Sequence, residues 1–147
     1  MFDQFICRIF APLQCLIEVV FRVCLSLIFL VGGLGHFMRS DQMMDRLLSS
    51  PWIKYVELIG SPLGLLHLSG AVFILASIAL MFGWSARLAA LALFATLVPI
   101  TFTIHIAPGH EGPLFKNIAI LGALLLVAAK GAGCASLDRT RTKRLSF

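Results

Sequence analysis

Four stretches of this 147-residue chain carry no Lys, Arg, Asp or Glu, and they limit its fold more than any other feature. Sixteen such residues separate Arg22 from Arg39, 29 separate Glu57 from Arg87, 23 separate Arg87 from Glu111, and 13 separate Lys116 from Lys130. A helix needs about 20 apolar residues to cross a bilayer. The first and last gaps reach that length when Arg22, Lys116 and Lys130 snorkel toward the headgroups. The chain is 59% hydrophobic and 13% charged, against roughly 45–50% and about 25% in soluble domains. That balance excludes a disordered chain, a collagen-like fibre and a nucleic-acid-binding domain, despite the net charge of +5.

The pattern predicts an all-α integral membrane protein. It forms one membrane domain over 1–147, an antiparallel four-helix bundle with spans at about 16–37, 62–83, 85–106 and 114–132. The turn Gly83-Trp84-Ser85 forces an antiparallel hairpin. No signal peptide is expected, because Glu18 and Arg22 interrupt the first apolar stretch and no small-x-small site follows. Ahead of it, Phe2, Phe5, Ile6, Ile9 and Phe10 recur at helical spacing up to Pro12, which predicts an N-terminal interfacial helix. Between spans one and two, Met43, Met44, Leu47 and Leu48 share a face of an amphipathic connector that Ser40 can cap and Pro51 follows. Trp52 and Tyr55 place this connector at headgroup depth, against the bundle.

Four spans put both termini on one side, with Arg8, Arg22, Arg87, Lys130, Arg139, Arg141, Lys143 and Arg144. The other side has Arg39, Arg46, Lys54 and Lys116. The positive-inside rule therefore predicts a multi-pass protein of the cell membrane with N- and C-termini in the cytoplasm, and a basic tail (133–147) resting on anionic lipid rather than nucleic acid. On the inner side lie Cys7, Cys15, Cys24 and Cys134, in no C-x-x-C, zinc or haem-attachment spacing. A reducing compartment predicts free, small core residues. Also on the inner side, Arg22 needs an anion, and Glu18, four residues before it, or Asp138, just after the last span, can complete a structural ion pair.

All four histidines fall on the outer side. His36 and His105 end spans one and three, His67 lies ~7 Å below the outer end of span two, and His110 follows in the loop. Thr101 shares a face with His105, and Pro99 frees the carbonyl of Ala95 nearby. One reading is interhelical glue, worth ~0.6 to 2 kcal/mol per contact. The other is a cofactor site of His36, His67, His105 and Thr101 beneath the connector. A quinone needs only one hydrogen-bonding imidazole and an apolar slot. Haem b needs two facing imidazoles, and copper would draw on His36, His67, His105, His110 and Met38, with Met43 and Met44. No metal ligand set is singled out, and no nucleophile, dinucleotide loop or hydrolase motif marks a stand-alone enzyme.

The run RVCLSLIFLVGGLGHF at 22–37, RLAALAL at 87–93, His105 with KNIAILGALLLVA at 116–128, and SLDR at 136–139 occur in an order that resembles the DoxX family of small four-helix membrane proteins. The resemblance covers about residues 19–140. It implies a small membrane subunit of a respiratory or detoxifying oxidoreductase, working with partner subunits of that complex. His67 stands where many relatives carry a glutamate, adding an imidazole to the outer cluster, and Cys134 stands where an arginine is common. A non-catalytic anchor or assembly subunit is the competing function. A metal or solute transporter is third, and the lack of discontinuous paired segments argues against it.

Overall fold

A computed structural model describes residues 10–105 and 111–138. The expected interfacial helix over Phe2–Phe10 falls almost wholly outside them. A 3₁₀ turn at Ala11–Leu13, with Pro12 in its first turn, runs directly into α1 (Gln14–Met38). Then come α2 (Ser40–Leu48), α3 (Ile53–Ile59), α4 (Pro62–Phe82), α5 (Ala86–Ile100) continued by a π-helical turn (Thr101–His105), and α6 (Glu111–Lys130). Among the described residues there is no strand.

Four helical stretches are long and apolar enough to span a membrane: Ala11–Met38, Pro62–Phe82, Ala86–Ile104 and Gly112–Lys130. They agree closely with the spans read from the uncharged gaps. Their boundaries have identifiable chemical causes. Ser61 accepts a hydrogen bond from the Gly64 N–H and Pro62 follows it, so α4 starts with a side-chain cap and a pre-set φ. Its end is a Schellman motif. Trp84 N–H donates to the Ala79 carbonyl and Gly83 N–H to Leu80, with Gly83 in the left-handed region at φ 66°. Ser40 does not cap α2 as expected; it is the first helical residue, after Arg39, and makes no capping bond.

Helix α1 packs on α4, α4 on α5, and α5 on α6. The shared core comprises Leu25 and Phe29 of α1, Phe73, Ala76 and Leu80 of α4, Leu93 and Leu97 of α5, and Ile120, Leu124 and Val127 of α6. Ala86, Ala89 and Ala90 line the inner stripe of α5, where small side chains let helices approach closely. The closest approach is between α1 and α4. A Cβ on Gly33 would lie 2.8 Å from the Gly70 carbonyl oxygen, and one on Gly70 would lie 2.8 Å from the His36 Cβ. Outward-facing Val31, Leu75 and Leu88 are about 70% exposed, which suits a lipid-facing surface. The connector does lie against the bundle: α2 contacts α4, and the Ser50 hydroxyl donates to the Thr103 carbonyl in the π-turn.

Candidate functional site

The α1–α4 contact positions the first candidate. His36, one turn after Gly33, is 7% exposed, and its ring leans on Phe73 at 5.5 Å between centroids. Its Nδ1 lies 3.1 Å from the Leu66 carbonyl and 2.9 Å from the Ser69 hydroxyl, which itself donates to Leu66 at 2.8 Å. Two oxygens facing Nδ1 assign the proton to that nitrogen. Nε2 then keeps its lone pair, and no other hydrogen bond to His36 forms among the described residues.

His67 comes to the same place from α4. Its ring stacks on Phe37 at 5.1 Å and 11°, and it is close enough to His36 for the two imidazoles to interact electrostatically. Thr101 is buried elsewhere on the connector half. Its hydroxyl donates to the Leu97 carbonyl at 2.7 Å and accepts from the Asn117 amide at 3.0 Å, joining the π-turn to α6. Asn117 was not singled out from the sequence; its signal was a lone amide at the start of an otherwise apolar span. The His105 backbone closes the π-turn, while its side chain and all of His110 lie outside the description. Met38 is 81% exposed. Among the described residues no three His, Cys, Asp or Glu side chains gather into a metal-binding group.

At the opposite end the segment after α6 folds back over the α4–α5 turn and α1. Arg22, 4% exposed, donates Nε to the Met81 carbonyl at 3.2 Å, Nη1 to Ala132 at 2.5 Å and Nη2 to Ala135 at 2.9 Å. Glu18 and Asp138 act on its charge electrostatically. Both carboxylates also hold backbone. Glu18 accepts the Cys134 N–H at 2.9 Å and the Gln14 amide at 3.2 Å. Asp138 accepts the N–H groups of Ser85 and Ala86 at 2.7 and 2.9 Å, capping α5 where Ser85 makes no side-chain cap of its own.

The expectation of free cysteines is corrected here. Cys15 and Cys134 form a disulfide with Cα atoms 5.5 Å apart, across 119 residues of sequence. Cys24 is a free, exposed thiol, and Cys7 lies outside the described residues. Beside the disulfide opens a cavity of about 700 Å³ lined by Cys15, Glu18, Lys130 and Cys134 among others. The sequence reading expected a cavity beneath the connector; this one is at the far end of the bundle.

A family model described as DoxX matches residues 17–106 of the chain. The chain is similar to inner membrane protein YphA of Escherichia coli (strain K12), 30% identical over 131 residues, which cover 82% of this chain and 87% of that protein. It is also similar to inner membrane protein YqjF of the same strain, 29% identical over 129 residues, covering 86% and 92%. No solved structure matches it.

Proposed function

The chain belongs to the DoxX family of membrane proteins, and from that premise and the connector-end geometry we propose that it is a small membrane subunit of a respiratory or detoxifying oxidoreductase, with a quinone headgroup site at His36. What carries this reading is the His36 Nε2, which has no hydrogen-bond partner among the described residues. A buried imidazole whose Nδ1 proton is held by Leu66 and Ser69 presents an acceptor of fixed direction. A bound quinone would supply two-electron, two-proton chemistry. His36 would accept the hydroxyl proton of the reduced headgroup, and the apolar faces of Phe37 and Phe73 would exclude water from it. The electrons would pass to or from a partner subunit. Haem b or copper would need further ligands aimed at the same point, so a quinone asks least of these residues.

One observation favours the anchor reading: the His36–Leu66 bond ties α1 to α4 at their closest approach. The two readings separate on a single variant. In the full chain in lipid nanodiscs, His36→Ala should weaken binding of a short-chain ubiquinone analogue by about ten- to a hundredfold, the usual ~1–3 kcal/mol for a buried partner left unpaired. Equal binding by both proteins, with only a lower melting temperature for the variant, would leave the anchor function in place.

A further inference from the structure

We propose that Cys15 and Cys134 form a thiol–disulfide exchange site, whose substrates are dithiols entering through the adjacent cavity. The proposal rests on this end of the bundle and not on the quinone reading.

Two structural observations and one expectation from the sequence converge on it. Cys15 is exposed and Cys134 half-buried, and both line the 700 Å³ cavity, so an incoming thiolate can reach a bridging sulfur without unfolding the chain. The residues on either side of Cys134 are held independently of the bridge: Arg22 binds the carbonyls of Ala132 and Ala135, Glu18 takes the Cys134 N–H, and Asp138 is fixed on α5. Breaking the sulfur–sulfur bond therefore leaves the two cysteines facing each other, poised to close again. Finally, the positive-inside rule predicts a cytoplasmic location for this end, where disulfides are characteristically transient, catalytic or redox-sensing.

The exchange balances as follows. A thiolate of the dithiol attacks the sulfur of Cys15, the more exposed residue of the pair, forming a mixed disulfide while the bond to Cys134 breaks and Cys134 leaves as a thiolate. Lys130 on the cavity wall favours that leaving charge, while Glu18, which takes the Cys134 N–H, opposes it. The second thiol of the dithiol, as its thiolate, then attacks its own partner sulfur and releases Cys15. Two electrons have passed to the pair, the dithiol departs as a disulfide, and its two protons end on Cys15 and Cys134. A second disulfide compound regenerates the bridge by the same steps in reverse.

The test counts thiols in the full chain, purified without reductant into nanodiscs and labelled with a maleimide polymer. Dihydrolipoic acid should expose two additional labels within minutes under native conditions, with helical circular dichroism unchanged, and oxidised glutathione should remove them again. With Cys134→Ser, oxidised glutathione should leave a mixed disulfide on Cys15. Labels that appear only after denaturation would make the bridge purely structural and overturn the proposal, as would full labelling before any reductant is added. The His36→Ala variant should give the same counts, so failure of the quinone reading would not disturb this result.

Discussion

Arg22 shows how a charge is accommodated at the edge of an apolar bundle. The i, i+4 spacing to Glu18 and the position of Asp138 point in the sequence to a carboxylate near Arg22, and both lie within electrostatic reach of it. The carbonyls of Met81, Ala132 and Ala135 that receive its hydrogen bonds were not legible, because a backbone acceptor has no residue type and depends on where the chain turns. The same blindness applies to Asp138, whose capping of α5 depends on a turn 52 residues away. Arg22→Leu would leave three carbonyls of part-buried hydrogen bonds without their donor. We expect a loss of about 2 to 4 kcal/mol, read as a lower unfolding midpoint in detergent. Arg22→Lys, with one point of charge in place of a planar fork, should recover only part of it.

At the scale of helices, the crossing of α1 and α4 depends on two hydrogen atoms in place of side chains. Added methyl groups at Gly33 or Gly70 would overlap the facing backbone or the Cβ of His36. Gly70→Ala should therefore destabilise the fold by about 1 to 3 kcal/mol and displace His36. Gly122→Ala is the control, since a Cβ there meets nothing within 4 Å, and it should be neutral or slightly stabilising. A loss at Gly122→Ala as large as that at Gly70→Ala in thermal unfolding would show that the crossing does not decide the outcome, since helix propensity favours Ala at both positions. The spans themselves were legible because a bilayer demands long uncharged helices. The π-turn at Thr101–His105 was signalled only by Pro99 just before it, whose missing N–H frees the Ala95 carbonyl but does not dictate how the residues after Ile100 rewind. Ser40 was a fair capping residue by type, yet the chain entering α2 comes straight from α1 and leaves it inside the helix.

For the whole molecule, the charge asymmetry predicts which way the bundle faces. A reporter active only in the cytoplasm should work when fused after Phe147 or inserted at Arg87, and fail at Arg46 or His110. Activity at Arg46 would reverse the orientation, and with it the compartment of the disulfide. No spacing rule could have paired Cys15 with Cys134, because their meeting is a product of the finished bundle, which returns the end of α6 to the start of α1. That return also sets an order of events during synthesis. Of the four spans, the one that carries Arg22 is made first, while two of its three acceptors, the Glu18-bound amide and the cap of α5 all lie between residues 132 and 138. The earliest of these four helices thus waits, with its charge incompletely satisfied, for the last described stretch of chain to arrive, and a chain cut short before that stretch would carry all four spans yet leave Arg22 with Met81 alone of its three acceptors.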